Sequence, residues 1–320
     1  MLFDGVITRV LKSEAIFAAI PPERAIELTR VAFERHHRGE WEMPAKLYID
    51  APPDGDFRAM PARGGGYATL KWVTSFPRNP ERGLPVVTGA LLLSSAVSGE
   101  LLAILDCAAV TSLRTGAAAA VSALALARED AREVGLIGCG VNGAWAARCM
   151  VAAGYGPGIC ADLRPEQAEE LAAELGWRAG PREEAVAAEI VVTVTPGGDH
   201  VVRQGELRAG AHLAVLGADA HGKAEVEPAE LDRCRLFCDE WRQASGGGEL
   251  AGPAARGEVT EDEVTPIGAV LCREAPGRSS DQELTLFDST GLAIQDLAIA
   301  VAAYEAAASG MIPAVTIELS

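Results

Sequence analysis

Aromatic residues make up only 5% of this 320-residue chain, and positive charge is scarce: 28 lysines and arginines face 45 acidic side chains, for a formal net charge of −17. A surface of that sign argues against a nucleic acid or an anionic membrane as partner, because both demand a basic face. It leaves room for a local cationic pocket that takes a small acidic ligand. Long apolar runs are also missing. The longest apolar region, residues 84–110, is interrupted by Gly, Ser, Glu100 and Asp106 and does not suit a bilayer span. The opening residues lack the basic-then-apolar order of a secretory leader, so a cytoplasmic protein is expected. The seven cysteines (Cys107, Cys139, Cys149, Cys160, Cys234, Cys238 and Cys272) are odd in number and scattered through apolar runs. They read as buried thiols in a reducing compartment rather than as a disulfide framework. Cys234 and Cys238 have no second pair or histidine near them, so no metal site is expected.

What is present suggests an ordinary globular chain, 49% hydrophobic and 23% charged, long enough for two domains at about 150 residues each. Helical signals open it: "SEAIFAAIPPERAIELTRVAFERHHRG" has a cap at Ser13, a stop at Gly39, and Pro21 and Pro22 dividing two helices. From Trp41 to Asp106, short runs rich in Tyr, Ile, Leu, Val and Thr alternate with "APPDGD", "RGGG", "PRNPERG" and "VSGE", which predicts an antiparallel sheet joined by hairpins. An alanine-rich helix is expected from about Thr111 to Thr115 onward. Strand-like and helix-like segments then alternate ("EVGLIGCG", "GAWAARCMVAAG", "GICADL", "PEQAEELAAELG", "EIVVTVT", "HLAVLGAD"), the pattern of a parallel, doubly wound sheet. "DLAIAVAAYEAAASG" predicts a last helix running almost to the end.

The clearest motif is Gly138-x-Gly140-x-x-Gly143, which follows an apolar strand and opens a helix. Gly138 permits the tight turn, Gly140 lets backbone approach a pyrophosphate, and Gly143 lets helix and strand pack closely. The free N–H groups of the helix N-terminus then face the phosphates. The next strand, "GICAD", ends in Asp162, about 20 residues beyond the glycines, where a carboxylate accepts from ribose hydroxyls and repels a 2′-phosphate. That favours NAD, with NADP kept as the alternative because Arg164 lies two residues on.

A second feature is a lysine inside an apolar strand. In "YATLKWV", strand alternation points Tyr67, Thr69, Lys71 and Val73 one way and Ala68, Leu70 and Trp72 the other. If Lys46 and Arg58 lie on the same face of neighbouring strands, three cations converge, a set suited to an α-carboxylate. Spacing alone is met more economically by three solvated strand residues, so the pocket stays open at this point.

The stretches "EMPAKLYID", "GDFRAMPA", "LKWVTSFPRNPERGLP", "SLRTGAAAA", "IGCG", "VVTVTP", "GADAHGK" and "FDSTGLAIQD", taken in this order, resemble the ornithine cyclodeaminase/mu-crystallin family along nearly the whole chain. "GDFRAMPA", "LKWV" and "RTGAA" are most similar to its archaeal-type alanine dehydrogenase branch. Cyclodeaminases carry a catalytic glutamate where Arg58 stands here, so the likeness points away from ring closure on ornithine. Other departures are "VNG" after the second glycine and His221 where a proline is more usual.

The resemblance implies an α/β architecture: an α+β substrate-binding and dimerisation domain over residues 1–114, completed by a C-terminal helix at 297–320, and a Rossmann NAD-binding domain over 115–296. It implies Lys71 as acid/base and carboxylate anchor, Asp219 as the second acid/base group, Lys46 and Arg58 at the carboxylate, and Arg114 facing the substrate or the cofactor phosphates. Around the cofactor it implies Thr88, Thr115, Gly138, Gly140, Val141, Asn142, Gly143, Asp162, Thr195, Ser289 and Gly291. The activity implied is NAD-dependent reductive amination of pyruvate or a similar 2-oxo acid to a small amino acid. The alternatives are an imine reductase and an ornithine or lysine cyclodeaminase. A homodimer is implied, with the apolar strands between residues 84 and 105 as the buried surface. Mu-crystallin itself is a binding and lens protein, but Lys71 and Asp219 are both retained here.

Overall fold

A strand, β1 (Val6–Leu11), precedes the two opening helices, Ser13–Ala19 and Pro22–His37. The structure is a computed structural model and describes residues 6–196, 198–220 and 222–319. Lys12, not Ser13, takes the cap position of the first helix. Pro22 takes the first helical position of the second, where its missing N–H costs nothing. Five strands follow, each antiparallel to the next: β2 (Leu47–Ala51), β3 (Gly55–Gly64), β4 (Tyr67–Ser75), β5 (Val87–Ser95) and β6 (Leu101–Asp106).

The helix after β6 runs from Cys107 to Leu126 and so starts ahead of the expected Thr111. Asp106 supplies the reason: its Oδ1 accepts the Ala109 N–H at 2.9 Å, capping the helix N-terminus. This helix has the length and apolarity of a membrane span, but most of it is buried, the ordinary state of a core helix.

The remaining strands are β7 (Val134–Ile137), β8 (Gly158–Ala161), β9 (Arg178–Ala179), β10 (Ile190–Thr193), β11 (His212–Val215), β12 (Cys234–Cys238), β13 (Val264–Pro266), β14 (Leu284–Asp288) and β15 (Val315–Leu319). The last helix, Ala293–Ala308, stops well short of the C-terminus, correcting the expectation for 297–320. Gly310 adopts φ 77°, a left-handed conformation that ends the helix, and β15 then pairs antiparallel with β1.

The chain divides into two units, Met1–Arg114 with Leu292–Ser320, and Thr115–Gly291. The second boundary falls ahead of residue 296, so Leu292–Asp296 belongs to the first unit. That unit holds a sheet in the order β15-β1-β6-β5-β4-β3-β2. It is antiparallel from β2 to β6, as expected, with a parallel β1–β6 pair added. Helices Ala293–Ala308 and Pro22–His37 pack on each other, and the former lies against β3 and β4. The covered face carries Met60, Val73, Leu91, Leu93 and Leu105, all buried, each contributing about 1.5–3 kcal/mol of burial.

The second unit is an eight-stranded sheet in the order β13-β12-β14-β11-β10-β7-β8-β9, and every pairing in it is parallel. β7, β8, β10, β11 and β14 are buried along their whole length, as expected of strands covered on both faces. The chain runs outward from β7 to β8 and β9, then returns to β10 on the other side of β7. The C-terminal ends of β7 and β10 therefore flank the topological switch point, where such sheets bind ligands. His212, on β11, is buried between the Ser122 and Thr285 hydroxyls at 3.1 and 3.0 Å. Burial pushes its imidazole down to about 3, so it is neutral and structural.

Candidate functional site

In the first unit, Lys71 on β4 stands opposite Met60 of β3, and Arg58 stands opposite Val73. All four are buried, so the lysine and the arginine share the covered face, as the alternation predicts. Tyr48 pairs with Arg58 across β2 and β3. Lys46, two residues before Tyr48 and just outside β2, is half-buried. Of the three cations expected near a carboxylate, Lys71 and Arg58 thus lie on adjoining strands of one sheet, and Lys46 lies just ahead of the strand beside Arg58.

Two partners were not foreseen. Asp56 grips Arg58 along one edge of the guanidinium, Nε at 2.6 Å and Nη2 at 3.1 Å, while the Tyr48 ring lies 5.5 Å beneath it. Asp296 pairs with Lys71 Nζ at 2.7 Å, and the exposures of the two side chains are 1% and 0%. The same carboxylate lies 3.4 Å from Arg114 Nε, and Thr111 Oγ1 lies 3.4 Å from Lys71 Nζ. Asp296 comes from the first turn of the helix Ala293–Ala308. Its one sequence signal is that it is an acid inside the apolar run "LAIQDLAIAVAAY", at the end of a stretch quoted above only for its likeness.

The electrostatics follow from burial. Two cations face one carboxylate, leaving a positive surplus in a low-dielectric interior. Burial drives the Lys71 ammonium below its ordinary value, Arg114 pushes the same way, and Asp296 opposes both. Cys107 lies beside the lysine and is pushed up to about 12 by burial, so it remains a thiol. Arg114 Nε and both Asp296 oxygens are buried without an aligned hydrogen bond. The cluster is held by charge rather than by a filled bonding network. Such an arrangement can recognise a carboxylate and exchange a proton from one nitrogen.

Thr88, placed near the cofactor by resemblance, is exposed on β5 and shares a hydrogen bond with Thr74 at 2.9 Å.

In the second unit, Gly138 has φ 98°, which a side chain rarely adopts. A Cβ on Gly143 would overlap the Gly138 carbonyl oxygen, whereas one on Gly140 would meet nothing within 4 Å. Gly140 is the cap of the helix Val141–Ala152, which carries Val141 and Asn142 in its first turn. The space above Gly140 and the open helix N-terminus fit a pyrophosphate. Asp162, directly after β8, accepts from the Cys139 N–H at 2.7 Å and from the Arg164 N–H at 2.9 Å, so its carboxylate is locked onto the glycine loop. The Arg164 side chain is 61% exposed and 3.7 Å from that carboxylate.

Thr195 follows β10 and donates its N–H and its hydroxyl to Glu225, each at 2.7 Å. Thr115 and Ser289 are buried. Gly291 donates its N–H to the buried Asp239 at 2.8 Å. Asp219 is paired with Lys223 Nζ at 2.6 Å, with a third of its side chain exposed at 33%. His221 lies outside the described residues. No cluster of metal-ligating side chains occurs among the described residues.

The ornithine cyclodeaminase/mu-crystallin family profile matches residues 8–311 of this chain. Alanine dehydrogenase from Archaeoglobus fulgidus is 38% identical over 309 residues, 94% of this chain and 96% of that protein. Among solved structures, an archaeal alanine dehydrogenase dimer with bound NAD matches with a TM-score of 0.93 at 36% identity, covering 98% of this chain and 100% of that one. Delta(1)-pyrroline-2-carboxylate reductase from Thermococcus litoralis, in complex with NADH and L-proline, matches with a TM-score of 0.92 at 25% identity, covering 97% and 100%.

Proposed function

Because the chain belongs to the ornithine cyclodeaminase/mu-crystallin family, we propose that it is an NAD-dependent oxidoreductase of the amino carbon of a small amino acid, joining pyruvate and ammonia to L-alanine and reversing that reaction. The observation that carries this reading is the buried Lys71–Asp296–Arg114 cluster, whose surplus positive charge suits a substrate carboxylate. Arg58 stands ready on the same face, oriented by Asp56.

Hydride donation or uptake at the substrate carbon is the chemistry the bound dinucleotide supplies. In the reductive direction ammonia adds to the ketone to give a carbinolamine. Lys71, held below the ordinary lysine value, donates a proton to the departing hydroxyl, which leaves as water and yields the protonated imine that takes up the hydride. Asp219 is the second proton-transfer group, and its carboxylate pairs with Lys223. Lys46, Arg58 and Arg114 bind the carboxylate and keep it oriented through these transfers.

Asp162 favours NAD over NADP, since a carboxylate fixed against the glycine loop repels a 2′-phosphate. An imine reductase is the second reading, favoured by the likeness to the pyrroline-carboxylate reductase. Cyclodeamination is disfavoured by Arg58. The free cysteines accord with a reducing cytoplasm.

NADH or NADPH oxidation, followed with a panel of 2-oxo acids and either ammonia or a cyclic imine, tests the assignment. Ammonia-dependent turnover of pyruvate supports it, and turnover of the cyclic imine alone moves the protein to the reductase branch.

Two substitutions separate the roles of the glycines. Gly140→Ala is expected to leave the melting temperature within a degree or two of wild type while weakening NADH binding about tenfold or more, because the new methyl stands where the pyrophosphate approaches. Gly143→Ala is expected to lower the melting temperature by roughly 2–10 °C through overpacking against Gly138.

A homodimer completes the proposal, with its surface on β2 and β4 in place of the strands between residues 84 and 105, whose Leu91, Leu93 and Leu105 are already buried within the chain. On the sheet face opposite Lys71, Leu47, Ile49, Leu70 and Trp72 are exposed at 55%, 50%, 37% and 40%, with Phe57 stacked on Trp72 at 5.7 Å. Adjacent apolar side chains of this size mark an interface. The wild type is expected to sediment as a dimer and Leu70→Glu/Trp72→Glu as a monomer; a monomeric wild type contradicts this.

A further inference from the structure

One buried carboxylate of the second unit has no part in the chemistry above. Glu225 is 0% exposed and accepts four hydrogen bonds where β10 and β11 end. Its Oε1 takes the Thr195 N–H and the Thr195 hydroxyl, each at 2.7 Å. Its Oε2 takes the Thr193 hydroxyl at 2.9 Å and the Gly217 N–H at 2.7 Å. Each oxygen therefore faces one backbone N–H, whose direction is fixed, and one hydroxyl. A carboxylate has about four lone-pair sites, and all are used by donors.

The same segment is gripped from the other side by the glycine loop. Val194 N–H donates to Ile137 O at 2.9 Å, and a Cβ on Gly138 would overlap the Val194 carbonyl oxygen. A Cβ on Gly217 would overlap the Thr195 carbonyl oxygen and lie 2.6 Å from the Glu225 carboxyl carbon, so only glycine fits there. Glu225 is itself anchored: its N–H and that of Val226 donate to Glu249 at 2.9 and 2.8 Å. Residues 193–195 are thus clamped between the dinucleotide turn and a buried acid, at the switch point of the sheet.

We propose that Glu225 is a positioning residue for the dinucleotide: by receiving the Thr195 hydroxyl proton it leaves that oxygen only lone pairs to offer, so Thr195 accepts a hydrogen bond from a donor group of the bound cofactor. The donor is a ribose hydroxyl or the carboxamide nitrogen, which share this chemistry. The inference rests on the dinucleotide-binding reading. An isosteric glutamine at 225 breaks the arrangement whichever way it turns, because either orientation sets an amide N–H against a backbone N–H.

The test is NADH affinity, read by fluorescence titration, together with melting temperature, for wild type, Thr195→Val, Thr195→Ser, Glu225→Gln and Thr195→Val/Glu225→Gln. Thr195→Val should raise the NADH Kd about tenfold, and Thr195→Ser should bind as wild type. Glu225→Gln should raise Kd at least as much, with no added loss in the double variant. If Glu225→Gln does not fold, the two Thr195 variants decide. Wild-type affinity in Thr195→Val overturns the proposal while leaving dinucleotide binding intact. A wild type that does not bind NADH or NADPH overturns the dinucleotide reading and this proposal with it.

Discussion

Lys71→Met is expected to lose activity by orders of magnitude and to leave the protein as stable as wild type or more so, while Asp296→Asn is expected to keep part of its activity and to lose stability. The asymmetry follows from charge. Lys71 and Arg114 share the single carboxylate of Asp296, and the lysine and aspartate are 1% and 0% exposed. Removing the lysine leaves one arginine with one aspartate, a neutral pair, and methionine fills the apolar stem's volume. Removing the aspartate's charge leaves two buried cations facing each other. Breaking a buried pair from one side costs about 3–5 kcal/mol, enough for a melting-temperature fall of several degrees. The surplus charge that strains the folded protein is the charge a substrate carboxylate would neutralise, so stability and function pull in opposite directions at this site. Loss of the proton-transferring nitrogen should lower kcat about 10²–10⁴-fold.

The pH profile gives the sign independently. On the proposed reading carboxylate binding needs the charged lysine, and that form is lost as pH rises through its pKa. Burial and Arg114 hold this value below the ordinary lysine range against the pull of Asp296. The alkaline limb of kcat/KM should therefore lie below that range in wild type and move further toward acid in Asp296→Asn. A limb that stays put in the variant would show that Asp296 does not act on Lys71.

Arg58→Ala should raise KM for the 2-oxo acid about 10–100-fold, the worth of a charged hydrogen-bonded contact, with kcat changed only a few-fold and KM for ammonia unaffected. Arg58 is 6% exposed, and its orientation is set by Asp56 at 2.6 and 3.1 Å. It therefore pays little side-chain entropy when a ligand binds. A residue that binds ground and transition states alike alters KM and not kcat. Lysine at 58 should recover only part of the loss, since a point charge cannot reproduce the fork held by Asp56. An unchanged KM in Arg58→Ala, measured by initial rates across pyruvate concentration, would remove Arg58 from the substrate site.

Features carried by local sequence were readable in advance. The glycine spacing, the strand before it and Asp162 after the next strand lie within one βαβ stretch, and the structure brings Asp162 onto the loop at Cys139. The alternation that turned Lys71 inward is a two-residue period and needed no partner to be seen. Asp296 was hidden because its meaning depends on Lys71, far away in the chain, and its own surroundings look like any apolar helix. Glu225 was hidden for the same reason: its four donors come from the ends of two strands and a glycine turn. β1 and β15 escaped notice because each is short and finds its partner at the opposite end of the chain. The early start of the helix at Cys107 was set by a single capping bond from Asp106, which helical periodicity does not register.

The most direct test is NADH oxidation by the purified protein with pyruvate, measured with and without ammonia, in wild type and Lys71→Met side by side. Ammonia-dependent oxidation in the wild type that disappears in a folded, undiminished-melting Lys71→Met is the predicted result. Equal rates in the two proteins, or oxidation indifferent to ammonia, would contradict the claim that the buried lysine cluster carries out amination chemistry.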